Sequence, residues 1–156
     1  MNTNQQRAAQ VFEYFQYSLK NLVEGRDKSD LIYAFCKNLI LGIALKETLS
    51  AETDMHFSFL LLISKASDSE LDSFIDAVYL LSSQEVKVLI QYFHYRDVVT
   101  DHWVEIPRRE VFLAMKDKEF YHPQEGHKLT SEEYHQIVFP YFVPTPGFIE
   151  VWEAKS

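Results

Sequence analysis

Between Leu31 and Leu45 the chain offers water almost no polar surface. Leu31, Ile32, Phe35, Leu39, Ile40, Ile43 and Leu45 sweep right round a helix rather than along one face. A helix of that kind needs either lipid or other helices about it. Fifteen residues fall short of the ~20 that cross a bilayer, and Lys37 and Asn38 interrupt the run. The segment therefore predicts the central helix of a bundle, capped by Ser29 or Asp30 and running to about Leu49. Cys36 within it reads as a small buried hydrophobe rather than a nucleophile. Gly42 costs about 1 kcal/mol relative to Ala in a helix, which predicts close approach by a neighbouring helix.

Partners for that helix lie on both sides of it. From Gln6 to Val23, the residues Ala8, Val11, Phe12, Phe15, Leu19, Leu22 and Val23 keep one helical face, and Gly25 suits the left-handed position that ends it. Between Asp54 and Ser64, alternation of Met55, Phe57 and Phe59 fits a strand. Met55, Phe59, Leu62 and Ile63 fit a helix, and the Thr53-Asp54 cap decides for the helix. Capping boxes follow at Ser67-x-x-Glu70 and Ser82-x-x-Glu85. The first predicts a helix burying Leu71, Phe74, Ile75 and Val78. The second predicts one over 83–98 burying Val86, Leu89, Ile90 and Phe93. With 47% apolar residues and 23 aromatics (12 Phe, 9 Tyr, 2 Trp), the core is well supplied and a disordered chain is excluded.

Past Thr100 the texture changes, and all five prolines lie there. His102–Ile106 and Phe148–Trp152 alternate as short strands that would pair in a ribbon. Pro107 opens a helix to about Lys118, Tyr121 to Lys128 reads as a polar loop, and Thr130-x-x-Glu133 caps a helix that Pro140 stops. The expected fold is mainly α: a helical body over 1–100, and a mixed portion over 101–156 with a short two-stranded β ribbon, packed together as one domain. The element order from 83 to 152 resembles a winged helix, in order alone and with no motif. That resemblance implies a DNA-binding regulator whose Arg108, Arg109, Lys116 and Lys118 touch phosphates. Its groove-entering helix would open on Glu132 and Glu133, which opposes such contact.

Charge points elsewhere. The net charge is −8, and the three stretches 1–50, 51–100 and 101–156 carry +1, −5 and −4. In the middle stretch Asp68, Asp72 and Asp76 stand four apart on one helical face, where like charges repel by about 0.2–0.5 kcal/mol per pair. Asp76 lies too far along to gain from the helix dipole. These three, with Glu132 and Glu133, predict attraction to the basic surface of a protein partner, anchored by Tyr92, Tyr95, Tyr141 and Phe142. A second, smaller core beneath the C-terminal loops is the other use for those aromatics. Arg108 and Arg109 in a first turn oppose the dipole. They contact a partner, or they pair with Glu105, Glu110 or Asp101.

Catalytic signatures are sparse. No phosphate loop, dinucleotide fingerprint or nucleophile elbow occurs, and there are only four Gly. One Cys excludes an internal disulfide and a multi-thiolate zinc site. A metal-dependent enzyme would have to draw on His122, His127 and His135 with Glu125 and Glu132, or on His94, Asp97, Asp101 and His102. His94 with Asp97 is the one candidate pair for proton transfer. The expectation is therefore a small acidic regulatory protein that works by contact, without cofactor, metal, nucleic acid or membrane. Its composition, not any motif, is that of mobile-element inhibitors and immunity proteins. The polar start Met1–Gln6 lacks a leader pattern, which suits the cytoplasm, and the apolar second helix would also serve a homodimer.

Overall fold

A computed structural model describes residues 2–155. The chain is mainly α. In order it forms α1 (Thr3–Val23), α2 (Ser29–Ala44), α3 (Phe57–Ser64), a 3-10 turn (Asp68–Glu70) and α4 (Leu71–Leu81). Strands β1 (Leu89–Asp97) and β2 (His102–Ile106) follow, then α5 (Arg108–Asp117), β3 (Phe120–Tyr121) and β4 (Lys128–Leu129). The chain ends with α6 (Ser131–Ile137), β5 (Val138–Pro144) and α7 (Pro146–Ala154). Two compact units result. One holds the described residues up to Ile90 and those from Val143 onward, and the other is Gln91–Phe142.

In the first unit α2 is the buried centre, with Ile32, Phe35, Cys36, Leu39, Ile40, Ile43 and Ala44 all covered. Its interrupting polar residues are both used. Asn38 donates to the carbonyl of Ser64 at 2.8 Å, closing α3, and the Lys37 ammonium lies 5.3 Å from the centre of the Phe12 ring. Gly42 meets α3 as expected: a Cβ there would stand 2.8 Å from that of Ile63. Cys36 is buried against α4, its thiol 3.7 Å from the Ala77 carbonyl, and desolvation pushes its pKa up to about 12. Gly25 takes the expected left-handed conformation after α1 (φ 82°). Neither Ser29 nor Asp30 caps α2, which starts after left-handed Lys28 without a side-chain cap and ends at Ala44, short of Leu49.

Two elements differ in type from the expectation. The stretch 83–98 is not a helix. Ser82 and Ser83 turn their hydroxyls back onto the carbonyls of Val78 and Leu80, ending α4 rather than opening a new helix. Left-handed Lys87 then turns the chain into β1. The segment 148–152 is helix, not strand. Thr145 accepts from the amide of Phe148 at 3.0 Å, and Pro146 supplies a preset first-turn φ. Phe148 and Trp152, one turn apart, are then both buried. Phe148 stacks on Phe15 at 5.6 Å, and the Trp152 indole donates to the Ala44 carbonyl at 2.9 Å.

In the second unit β1 alternates its faces. Phe93 and Tyr95 join Ile106, Val111, Phe120, Tyr134 and Val138 in one apolar cluster, and Tyr92, His94 and Arg96 take the other face. The partner of β2 is β1, antiparallel with Phe93 opposite Ile106 and Asp97 opposite His102; the sheet order is β2-β1-β5. The winged-helix pairing of 102–106 with 148–152 is thus overturned. The expected loop Tyr121–Lys128 is a loop over 122–127, and its two ends pair in a small ribbon, β3 with β4. The Thr130 capping box forms, with Thr130 and Glu133 exchanging bonds of 3.1 and 2.9 Å, but α6 gives way to strand at Val138, before Pro140.

Candidate functional site

Helix α4 presents two adjacent stripes outward. The Ser67 capping box starts the segment: the Glu70 carboxylate accepts from the Ser67 amide at 2.9 Å and hydroxyl at 2.8 Å, and these bonds hold it below the usual carboxylate range. Phe74, Ala77, Val78 and Leu81 face inward from there. Leu71 and Ile75, expected in the core, do not: they are 40% and 38% exposed, and Tyr79 one turn further is 53% exposed. The core-facing stripe of α4 is narrower than the apolar stripe in its sequence. Beside this row run Asp68, Asp72 and Asp76, all exposed and without an ion pair among the described residues. Next to them, Phe57, Ser58 and Leu61 of α3 and Leu71, Phe74 and Ile75 of α4 line a cavity of about 220 Å³. Leu62, also on α3, is 75% exposed.

The aromatic candidates of the second unit divide. Tyr95 and Phe142 are buried, and Tyr141 is 9% exposed, so these three cannot serve as surface anchors. Tyr95 belongs to the apolar cluster of the unit, and Tyr141 is covered by the rings stacked on it. Tyr92 and Tyr141 instead enter a column across the sheet. Their rings stack at 5.6 Å, Tyr141 meets His94 at 4.3 Å, and His94 meets Trp103 at 4.0 Å. Arg108 caps that column with its guanidinium 5.5 Å from the Tyr92 ring. It pairs with none of its expected carboxylates, and Asp101 pairs with Arg96. Half-exposed Trp103 and Phe139, in edge contact at 6.0 Å, and the hairpin tip Val98-Val99 are surface aromatics and aliphatics that the sequence reading missed. Asp97 organises that tip, accepting from the Val99 amide at 2.9 Å, which keeps its carboxyl below the ordinary range.

Other candidates are separately placed. Arg109, Glu132 and Glu133 are exposed, with Glu133 committed to its cap and its pKa lowered by the Thr130 backbone bond. His122 and His127 stack at 5.3 Å and His127 lies 3.3 Å from Glu125, while His135 turns back to the Ser131 carbonyl at 2.7 Å. No three His, Cys, Asp or Glu side chains converge in metal-binding geometry among the described residues. None of the described helices is long and apolar enough to cross a membrane. Comparison with protein-family models, with curated proteins and with solved structures finds no match for this chain.

Proposed function

We propose that this is a cytoplasmic regulatory protein that acts by binding another protein through its α3–α4 face, and that the bound element is a basic amphipathic helix. The observation that carries the reading is the row Leu71, Ile75 and Tyr79, exposed at one-turn spacing alongside the unpaired Asp68, Asp72 and Asp76. An apolar groove with an acidic border suits an amphipathic helix whose own one-turn repeats match it, apolar side in and Lys or Arg toward the carboxylates. Apolar burial supplies affinity, and the carboxylates supply speed of encounter and orientation.

A synthetic peptide with Leu and Lys on opposite faces of a helix is the probe. Its affinity for the intact chain should fall at least tenfold when Ile75→Glu, Asp72→Lys and Asp76→Lys are combined. Raising salt should weaken it as well. Glu150→Lys with Glu153→Lys alters net charge as much as the two Asp reversals do, on exposed positions of α7, and should leave the affinity near that of the parent. Equal binding to all three proteins would overturn the reading, as would loss on the α7 changes alone.

A further inference from the structure

The second unit carries six Lys and Arg against nine Asp and Glu, so a hollow in it whose charged lining is cationic alone runs against its composition. One such hollow is present, a cavity of about 580 Å³. Lys118 and Lys128 stand in its wall with Thr130 and Ser131, and no Asp or Glu lines it. Met115, Phe120 and Leu129 give the rest of the lining an apolar character. The chain sorts its charges to reach this arrangement. Asp117 and Glu119 flank Lys118 in sequence, yet both line a different hollow, and Lys118 has no ion pair among the described residues. The cause is local. Helix α5 ends at Asp117, Lys118 turns left-handed (φ 56°) with its amide bonded to the Ala114 carbonyl, and β3 begins at Phe120.

The rest of the wall is held by ordered backbone. In the ribbon Lys128 stands opposite Tyr121, and Phe120 stands opposite Leu129. Lys128, too, has no ion pair among the described residues. Glu132 and Glu133 follow on α6 without lining the cavity, and the Glu133 carboxylate accepts the Thr130 amide at 2.9 Å instead. Thr130 Oγ1 accepts the Glu133 amide at 3.1 Å, which leaves the hydroxyl its own proton to donate. His135 is wall rather than charge. Its Nδ1 lies 2.7 Å from the Ser131 carbonyl, and its ring meets Phe120 edge-on at 5.8 Å. The cationic character of the site thus comes from two lysines, each with three donors.

We infer that this cavity binds a phosphomonoester carried on an aromatic body. Such a group bears about −1.5 to −2 charges near neutral pH and three acceptor oxygens, which match two ammoniums and two hydroxyls. A carboxylate offers half the charge and fewer acceptors. Lysine, a compact point charge, suits phosphate without the flat geometry that arginine requires. Met115, Phe120 and Leu129 accommodate the ring, and the flexible thioether adapts to its edge. The volume falls within the range of small-ligand sites and exceeds what a bare phosphate would fill. A polyanion is disfavoured, because the excess of carboxylates elsewhere on this unit opposes a long run of phosphates. Two sources share the proposed chemistry: a free aryl phosphate, and a phosphorylated tyrosine of a bound protein.

The test titrates the full chain with phenyl phosphate, with phosphotyrosine blocked at both backbone ends, and with phenylacetate and inorganic phosphate as controls, following the Met115 methyl and Ser131 amide signals. At least one aryl phosphate should shift both signals saturably, and about tenfold more tightly than either control. Lys118→Gln with Lys128→Gln, both on exposed positions, should weaken it about tenfold or more. Lys20→Gln with Lys155→Gln makes the same change in net charge on exposed positions of the first unit and should leave the affinity near that of the parent. Tighter binding of phenyl phosphate assigns a free ligand; equal or tighter binding of the blocked phosphotyrosine assigns a protein side chain. Absence of a shift at Met115 and Ser131 by either aryl phosphate up to about 10 mM overturns the inference. So does an equal affinity for phenylacetate or inorganic phosphate, or a loss no greater for the Lys118 and Lys128 changes than for the Lys20 and Lys155 changes. The α3–α4 variants should bind the aryl phosphates as the parent does, which separates this outcome from the preceding one.

Discussion

At Gly42 a methyl group would press on Ile63 from three sides, its Cβ at 2.8 Å, Cδ1 at 2.9 Å and Cγ2 at 3.2 Å. Overpacking of that kind costs about 1–3 kcal/mol, whereas the better helix propensity of Ala returns at most ~1. Gly42→Ala should therefore lower the urea-unfolding free energy, and combining it with Ile63→Ala should cost less than the separate losses together. A more stable Gly42→Ala would show that the helices give way freely. Cys36 gives a second residue-scale expectation. Its folded pKa of about 12 exceeds the model-compound value of 9.0, so the unfolded chain holds fewer protons between those limits. Stability is then fully present below about pH 9 and falls as pH rises toward 12, by up to ~1.4 kcal/mol per unit. Cys36→Ala should lack this component, read as a difference between parent and variant in urea melts from pH 8 to 11. Parallel curves would place the thiol in a wetter site. Both residues were legible because their chemistry contrasts with their neighbours. Ile75 was not, since periodicity locates a stripe and leaves its covered width undetermined.

Agreement of cap and period marked two helical segments correctly and failed at a third, the Ser82 box before 83–98. The boxes at Ser67 and Thr130 opened helical segments, and Met55 to Ile63 folded chiefly as helix, although Thr53 accepts the Ser50 amide and caps nothing there. At that third segment, and at 148–152, neighbouring elements decided instead. In 83–98 a three-residue spacing of apolar groups suggested helix, but Tyr92-Phe93-His94-Tyr95 also satisfies period two. The two faces of β1 found different neighbours, an apolar cluster on one side and an aromatic column on the other. For 148–152 the local signal was Thr145-Pro146 just upstream, a cap followed by a proline at the first helical position. Thr145 does more than cap: its hydroxyl donates to the Lys87 carbonyl, and its amide bonds to that of Val88 at 3.0 Å. Thr145→Ala should cost about 1–2 kcal/mol, and amide exchange should quicken at Phe148. Exchange unchanged at Phe148 would mean that burial of Phe148 and Trp152 alone holds α7.

At the scale of the molecule, helical periodicity was enough for the fold class, and charge was not enough to show which surface stands uncovered. A boundary near residue 100 follows the change of texture along the chain, whereas the compact units interleave. Trp152 returns to α2 through a hydrogen bond spanning 108 residues, bringing the C-terminal helix into the first unit. Charge shows the same limit. The −5 of residues 51–100 was visible, yet its meaning depends on Leu71 and Ile75 standing uncovered beside Asp72 and Asp76. An acidic row without apolar neighbours is solvated helix; with them it becomes a surface that a basic helix can cover. Methyl resonance mapping of the intact protein, titrated with the basic amphipathic peptide, tests that statement most directly. The account predicts saturable shifts concentrated at Leu61, Leu71 and Ile75, with Leu39 and Ile40 at the buried centre of α2 unmoved. Shifts centred on any other surface, or none at a peptide excess that saturates the affinity assay, would contradict it.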